Sequence, residues 1–345
     1  MMIAQHVRKL DGYVPGEQPK SQRVVKLNTN ENPYPPSPAV ARALAAFDPA
    51  RLRRYCDPDC TALRAALAKL NRTTPDRVFV GNGSDEILAL TARAFVENDE
   101  TIGSLDPSYS LYKTLAAIRN VSWRGFPHPA GSLGEMKKAK TSLFLWTNPN
   151  APTGEFVEPD EIAAFAAKFP GVVLVDEAYA DFARTNAMAL ATAEDNRNVI
   201  VMRTFSKSFS LAGLRVGYCV GPRELIDALF KLKDSYNVDG LAQAVALAAV
   251  RDVRWMRANA KKVIATRATL TDALAARGWD VIPSESNFLF ARPPKGDAAR
   301  IFAALKERNI FVRYFPGPKT GERLRITVGT DAETAKLLKA LDAIS

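Results

Sequence analysis

A lysine within an apolar segment is the first residue of this sequence that could do unusual chemistry. Lys207 lies in TFSKSFSLAGLRVGY (204–218), among small hydroxyl side chains, and Arg215 follows eight residues later. Removal from water disfavours the charged form of a lysine and leaves its amine available as a nucleophile. A lysine at a strand end that extends its ammonium group to solvent would produce the same pattern. The segment alone leaves both interpretations open.

Two further segments carry groups suited to binding an anion or a heterocycle. VGNGSDEIL (80–88) is typical of a strand end, a glycine turn and a helix start, where Ser84 or Asp85 can cap and first-turn amides can hold a phosphate. A plain capped turn is the alternative.

VLVDEAYADF (173–182) ends a buried strand with Asp176, whose carboxylate is costly to bury without a cation or donors. A protonated ring nitrogen would be such a partner, and a hydrogen-bonded turn is the alternative.

The composition limits the possible chemistry. The 345 residues are 47% hydrophobic and 24% charged, as in an ordinary soluble protein. With three cysteines and two histidines, we predict neither a metal site nor a histidine-based triad, and the sparse cysteines indicate the cytoplasm. The basic residues behind the net charge of +10 are scattered, so we predict no nucleic-acid partner. No apolar run approaches the roughly 18 residues of a membrane span, and no signal peptide is recognisable.

Short β-rich runs alternate with helical patterns between about residues 75 and 220, which predicts a mostly parallel sheet with helices on both faces. The predicted strands are VFVG (78–81), TIGSL (101–105), VSWRG (121–125), SLFLWT (142–147), VVLVD (172–176), NVIVMRTF (198–205) and RVGYCV (215–220). Such sheets bind their ligands beyond the carboxyl ends of the strands. Asp176 and Lys207 fall at such ends.

The pattern changes after about residue 240. One or two helices over 241–278 precede short strands at 286–293, 310–315 and 324–329, around a helix at 297–309. This order predicts a smaller α+β domain. The first residues, rich in proline and asparagine, are typical of an extended arm. We therefore predict an arm at 1–38 that associates with the small domain, a large domain at 39–240 and the small domain at 241–345.

Together these segments resemble the pyridoxal-phosphate-dependent aminotransferases of the aspartate-aminotransferase fold. The resemblance covers nearly the whole chain and rests on TFSKSFSLAGLRVGY together with LNTNENPYPPSP (27–38), RYCDPDCTALR (54–64), GNGSDE (81–86), PSYSLY (107–112), NPNAPTG (148–154) and LRITVG (324–329). It implies the type I fold of these transferases, in which a large α/β domain has a mostly parallel seven-stranded sheet between helices. It also implies pyridoxal 5'-phosphate as the cofactor.

The resemblance assigns roles to individual residues. Lys207 would bond the cofactor covalently and then move the substrate proton, while Asp176 would keep the pyridine nitrogen protonated. Tyr179 would donate to the ring oxygen, and Tyr109 would stack on the ring. The other cofactor contacts implied are Gly83, Ser84, Asp85, Asn150, Thr204, Ser206 and Arg215.

Two positions depart from the family's pattern. Ala151 stands where the family has the asparagine before Pro-Thr-Gly, so Asn150 or Asn148 is expected to contact the ring oxygen, and we assign Asn150. Cys56 stands where the family has a proline after the tyrosine. Tyr55 still fits the residue that reaches the cofactor phosphate of the neighbouring subunit, which implies a homodimer.

Within the family, the arm with YVPGEQP (13–19) is most similar to the histidinol-phosphate aminotransferases of histidine biosynthesis. The similarity implies exchange of an amino group between histidinol phosphate and 2-oxoglutarate, which yields imidazole-acetol phosphate and glutamate. Guanidinium groups suit a phosphate dianion, so Arg313 and Arg325 are the candidates, and Asn30 is a further substrate contact. Arg325 would also bind the α-carboxylate of glutamate. A solvated strand arginine is the alternative for Arg313.

Three other functions remain open alternatives. An aromatic-amino-acid aminotransferase would share the site, and a threonine-phosphate decarboxylase of cobalamin synthesis would share the cofactor and a phosphate-bearing substrate. A non-enzymatic regulator of this fold carries an added DNA-binding domain, which we do not recognise in this sequence.

Overall fold

The computed structural model describes residues 2–12, 14–21, 23–127 and 130–344. The strands are β1 Val25–Lys26, β2 Val78–Gly81, β3 Thr101–Leu105, β4 Ser122–Phe126, β5 Thr141–Thr147, β6 Val172–Asp176, β7 Val199–Thr204, β8 Gly217–Val220, β9 Asp280–Val281, β10 Phe288–Arg292, β11 Ile310–Phe311, β12 Arg313–Tyr314 and β13 Leu324–Thr327. The α-helices are α1 Gln5–Arg8, α2 Pro38–Ala45, α3 Thr61–Leu70, α4 Gly83–Ala94, α5 Leu111–Arg119, α6 Leu133–Lys138, α7 Pro159–Ala166, α8 Met188–Thr192, α9 Arg223–Leu232, α10 Gly240–Arg251, α11 Val253–Ala275, α12 Ala298–Glu307 and α13 Asp331–Asp342.

The large sheet has seven strands in the order β2-β8-β7-β6-β5-β3-β4. Only β8 runs antiparallel to its neighbours, β2 and β7, and the other pairs are parallel. The predicted mostly parallel seven-stranded sheet is therefore confirmed. Because β6 and β7 are adjacent and parallel, their carboxyl ends meet at one edge, and the residues that follow them are brought together.

Apolar side chains cover both faces of this sheet. Val173 and Val175 of β6 belong to one buried cluster, and Leu174 between them belongs to a second cluster on the other face. Successive strand residues point to opposite faces, so an uninterrupted apolar strand implies a sheet covered on both sides. Each such fully buried side chain contributes about 1.5–3 kcal/mol relative to exposure. This core makes the strand ends a rigid support.

The predicted helical stretch at 241–278 forms two helices that meet at Asp252. Asp239 caps the first of them, α10, by accepting a hydrogen bond from the amide of Ala242 at 2.8 Å. Val245 and Ala249 of α10 are buried in the same cluster as the β6 valines, where α10 contacts α2 and α3. The core around the large sheet thus extends past residue 240, where the sequence predicts a boundary.

The smaller sheet has four antiparallel strands in the order β12-β13-β10-β9. The strand predicted at 310–315 is two short strands, because β11 pairs with β1 whereas β12 pairs with β13. Val312, between them, is buried at 3% exposure. The parallel pair β1–β11 forms a separate two-stranded sheet that ties the N-terminal arm to the segment before β12. The arm also contains the helix α1, which the sequence does not predict.

Candidate active site

A cavity of about 790 Å³ opens at the carboxyl edge of the large sheet, between that sheet, the N-terminal arm and the four-stranded sheet. The predicted site residues that line it are Asn30, Ser84, Asp85, Tyr109, Asp176, Tyr179, Thr204, Ser206, Lys207, Arg215, Arg313 and Arg325. Gly83, Asn150 and Tyr55 do not line it. The cavity thus brings together residues from the two strand ends, the glycine turn and the small sheet.

Lys207 lies in the loop after β7, with its amine inside the cavity. Its Nζ donates a hydrogen bond to the carbonyl oxygen of Thr29, at 3.1 Å. Burial lowers the pKa of Lys207 to about 8, and the neighbouring Arg325 guanidinium acts in the same direction. At pH 7 about a tenth of an amine with such a pKa is unprotonated, far more than for an ordinary lysine, and this fraction can act as a nucleophile or a proton acceptor.

Asp176 is the last residue of β6, and its carboxylate is 4% exposed. It accepts hydrogen bonds from the Tyr112 hydroxyl at 2.8 Å and from the Ala178 amide at 3.1 Å. These donors favour the carboxylate, but burial outweighs them and raises the pKa of Asp176 to about 6. A cation in front of Asp176 would restore its ionised form. The site is therefore suited to a protonated ring nitrogen.

Tyr112 and Thr147 are functional residues that the sequence analysis missed. The Tyr112 hydroxyl lies 2.6 Å from Oγ1 of Thr147, which is the last residue of β5. A hydroxyl that donates to Asp176 has its oxygen free to accept, so Thr147 donates to Tyr112 in the consistent arrangement. The available signal was the spacing of PSYSLY, since Tyr112 stands three residues after Tyr109 and the two rings meet edge to face.

A phosphate-sized cradle is formed where α4 begins. Gly83 has a φ of +77°, and a Cβ there would lie 2.7 Å from Nη2 of Arg215, so the absence of a side chain lets the guanidinium approach the helix start. A Cβ on Gly217 would likewise lie 2.6 Å from the amide nitrogen of Ser84. Arg215 is held by Asp85, with Nη2 and Oδ2 3.2 Å apart. First-turn amides and a guanidinium are the donors that a phosphate dianion requires.

Tyr179 is oriented by the N-terminal arm. The side-chain amide of Asn30 donates to the Tyr179 hydroxyl at 2.9 Å, so the phenol directs its own proton to another acceptor. Asn30 has a left-handed backbone, with φ of 57°. Thr327 Oγ1 accepts from its amide at 3.0 Å, and Asn287 donates to its carbonyl at 2.9 Å. The sequence analysis did not anticipate these two supports.

Asn150, which the sequence analysis assigns to a cofactor contact, does not line the cavity. Its side-chain amide donates to the carbonyl of Pro107 and to Oγ1 of Thr153, both at 3.0 Å, and thus holds its own loop. Asn148 is similarly paired with the backbone of Val157. Instead, Ala151 lines the cavity at this position, so this part of the wall offers no side-chain hydrogen bond.

Arg313 and Arg325 lie directly opposite each other on β12 and β13. Like charges at opposed positions destabilise a sheet, and an anion between them would relieve the repulsion. Arg325 donates to the carbonyl of Asn28 at 3.0 Å, and Arg313 donates to the carbonyls of Val14 and Pro15 at 3.2 and 3.3 Å. The arm therefore forms part of the wall around this cationic pair.

Tyr55 lies outside the cavity of its own chain. Its side chain is 82% exposed and stacks on Tyr236, with ring centroids 4.2 Å apart. Leu44 and Leu52, from the same part of the chain, are also exposed.

The residues that the structure describes contain no helix long and apolar enough to cross a membrane. Among them there is also no group of three or more histidine, cysteine, aspartate or glutamate side chains placed to hold a metal ion.

Comparison with known proteins identifies similar sequences and structures. The family model for aminotransferase class I and II matches residues 22–341. Histidinol-phosphate aminotransferase 1 of Bradyrhizobium diazoefficiens is 46% identical over 341 residues, which cover 97% of each chain. Histidinol-phosphate aminotransferase 2 of Burkholderia mallei is 45% identical, covering 97% of this chain and 96% of that one. The crystal structure of the histidinol-phosphate aminotransferase from Sinorhizobium meliloti with pyridoxal-5'-phosphate superimposes with a TM-score of 0.87, at 26% identity over 92% of this chain and 90% of that one.

Proposed function

The chain belongs to the class I and II aminotransferases, and from this premise we propose that it is a pyridoxal-phosphate-dependent histidinol-phosphate aminotransferase. It exchanges the amino group of histidinol phosphate with 2-oxoglutarate and yields imidazole-acetol phosphate and glutamate. The observation that carries the proposal is one cavity that joins Lys207 and Asp176 to a phosphate cradle on one side and to the Arg313–Arg325 pair on another.

The residues of the cavity fit pyridoxal 5'-phosphate. Arg215, Ser84, Ser206 and the first amides of α4 would hold its phosphate, with room provided by Gly83. Asp176 would face the ring nitrogen, Tyr179 the ring oxygen and Tyr109 a ring face, while Thr204 and Asp85 support the cradle. When bound, the cofactor draws electrons from the amine-bearing carbon of the substrate and so weakens the C–H bond there.

Lys207 supplies the proton chemistry. With a pKa of about 8, its amine could take the proton from the amine-bearing carbon of the substrate and, once protonated, deliver it to the cofactor carbon that takes up the amino group. The carbonyl of Thr29 holds this amine at the cavity wall, and the neighbouring cation of Arg325 disfavours its protonation. No histidine is needed for either transfer.

The guanidinium pair selects the substrate. Arg313 and Arg325 provide two planar donors at opposed positions, which suits the phosphate of histidinol phosphate. Arg325 would also bind the α-carboxylate of glutamate, and Asn30 completes this side of the site through Tyr179. The relatives at about 45% identity carry the name of the same activity, which supports this choice.

A second copy of the chain would complete the site. Tyr55 is exposed, does not line the cavity of its own chain and stacks on the exposed Tyr236. Leu44 and Leu52, close to it in the sequence, are exposed as well, and exposed apolar side chains are typical of a surface that another protein covers. We place Tyr55 against the cofactor phosphate of the partner subunit in a homodimer.

A half-reaction assay tests the proposed activity. Holoenzyme is mixed in turn with histidinol phosphate, phenylalanine and threonine phosphate, without any keto acid, and the released product is identified. The proposal predicts stoichiometric imidazole-acetol phosphate from histidinol phosphate and much slower reaction of phenylalanine. A preference for phenylalanine would identify an aromatic aminotransferase, and carbon dioxide released from threonine phosphate would identify a decarboxylase.

Arginine variants test the substrate assignment. Arg313→Ala should weaken histidinol phosphate binding roughly ten- to a hundredfold, as expected for loss of a charge-assisted contact, and should affect glutamate much less. Arg325→Ala should impair both half-reactions. Arg323→Ala is the matched control, since Arg323 belongs to the same domain but pairs with Asp280 away from the cavity. Equal losses for both substrates in Arg313→Ala would show that Arg313 only anchors the arm.

A further inference from the structure

A buried cluster of polar side chains lies beside the cavity without lining it. We call it the buried clamp, and it consists of Glu177, Arg203, Asp181 and Ser208. Arg203, near the end of β7, donates to Oε2 of Glu177 from Nε at 2.9 Å and from Nη2 at 2.8 Å. The Glu177 and Arg203 side chains are 0% and 14% exposed. Burying such a pair is costly, and removal of one partner would leave an uncompensated charge, so the pair holds its two residues in a fixed arrangement.

The clamp continues from this ion pair to the loop that carries Lys207. Nη1 of Arg203 lies 3.5 Å from Oδ1 of Asp181, and Oδ2 of the same carboxylate accepts a hydrogen bond from the hydroxyl of Ser208. Ser208 is 2% exposed and follows Lys207 directly. A carboxylate with both oxygens engaged fixes the side chain of Ser208, and therefore the backbone next to the lysine.

The other end of the clamp begins beside Asp176. Glu177 follows Asp176 in the chain, its amide donates to the carbonyl of Met202 at 2.8 Å, and its Oε1 accepts from the amide of Ala187. The clamp therefore spans the short gap between the loop after β6 and the loop after β7. Asp176 stands directly before the first of these loops and Lys207 lies in the second. The proposed function depends on both residues.

We propose that the buried clamp positions Lys207 relative to Asp176, with Asp181 and Ser208 acting on the lysine through its backbone. This inference rests on the proposed function, because it assumes that Lys207 bonds the cofactor. An independent contact holds the same backbone. The side-chain amide of Asn32 donates to the carbonyls of Lys207 and Ser208 at 3.2 and 3.1 Å. With the backbone held by Ser208 and Asn32, only the side-chain torsions of the lysine remain to be fixed when its amine reacts.

A double-mutant cycle on cofactor binding tests the positioning role. The dissociation constant of pyridoxal 5'-phosphate is measured at equilibrium for the wild type, Ser208→Ala, Lys207→Ala and the double variant. In the chain that retains Lys207, loss of the Ser208 hydroxyl should weaken binding about tenfold, the scale of one charge-assisted hydrogen bond. In the Lys207→Ala chain the same substitution should change binding by less than about twofold, because there is no amine to position.

Three further variants separate positioning from general damage. Asp181→Asn keeps an oxygen that can accept from Ser208 and should bind the cofactor within about threefold of wild type, whereas Asp181→Ala should resemble Ser208→Ala. Thr101→Ala is the matched control, since it removes a buried hydroxyl bonded to the carbonyl of Ala139 at the amino end of β3. It should leave the dissociation constant unchanged.

Four outcomes decide whether the clamp positions Lys207. Equal weakening by Ser208→Ala in both backgrounds, or no weakening in either, would overturn the positioning role while leaving the proposed function intact. If Lys207→Ala itself bound the cofactor as tightly as the wild type, the proposed function would fail instead. Weakening confined to the chain with Lys207, with rescue in Asp181→Asn, would establish the clamp as a positioning device.

Discussion

Burial shifts the protonation equilibrium of Asp176 toward its neutral form in the cofactor-free protein. The ordinary pKa of 3.8 applies in the unfolded chain, whereas burial raises it to about 6 in the folded chain. Between these values the folded state binds a proton that the unfolded state does not. The contribution of Asp176 to stability therefore falls as the pH rises from about 4 to about 6, by at most about 3 kcal/mol.

Asp176→Asn removes this titration. The free energy of unfolding of the cofactor-free variant, relative to wild type, should rise between pH 4 and pH 7, because only the wild type pays for an ionised carboxylate in the core. Urea unfolding of both proteins across this range measures the difference. A difference that stays constant with pH would mean that the burial of Asp176 is compensated by other groups.

The same variant should be almost inactive. A neutral amide cannot stabilise a protonated ring nitrogen, so we expect a loss of several orders of magnitude in kcat with the fold retained. Steady-state assays with histidinol phosphate measure it. Near-normal turnover would show that a different acid faces the ring.

At the scale of the elements, α5 and β5 together support Asp176. Tyr112 on α5 donates to the carboxylate, and Thr147 at the end of β5 lies behind it. Tyr112→Phe removes a donor that favours ionised Asp176, so kcat should fall about tenfold, in line with one hydrogen bond to a charged group. Thr147→Val should give a smaller loss in the same direction. Stopped-flow measurement of the half-reaction rate compares the two variants. An unchanged rate in Tyr112→Phe would assign the tyrosine to packing alone.

The helices and strands also show which features of the fold and the site could be predicted from the sequence. The seven strands of the large sheet and the positions of Asp176 and Lys207 were predictable, because apolar runs have a clear length and polar residues mark their ends. The strands β1 and β9 were not predictable, because a strand of two residues is too short to show an alternating pattern. The support from Tyr112 depends on a contact between residues 64 positions apart, and no local pattern encodes it. That Asn150 lies outside the cavity could not be read from the sequence either, because the direction of its side chain is set by the contacts of its own loop.

At the scale of the whole molecule, the exposed Tyr55 predicts a site shared between two chains. A Lys207→Ala chain retains Tyr55, and a Tyr55→Ala chain retains Lys207, so a mixed dimer has one site with both residues intact. Random mixing of equal amounts should restore about a quarter of the wild-type sites in a two-fold symmetric dimer. Activity after co-refolding, with hybrids verified by native mass spectrometry, measures this. Hybrids without activity would show that each chain completes its own site.

If the cavity around Lys207 is the aminotransferase site, Lys207 is the residue that bonds the cofactor. Reduction of the holoenzyme with borohydride, followed by peptide mapping, locates this bond because a reduced bond to the cofactor survives digestion. We expect the mass of the reduced cofactor on Lys207 alone, in the peptide that also contains Ser206 and Ser208, and none on the Lys207→Ala variant. Stoichiometric labelling of another lysine, or undiminished labelling in Lys207→Ala, would contradict it.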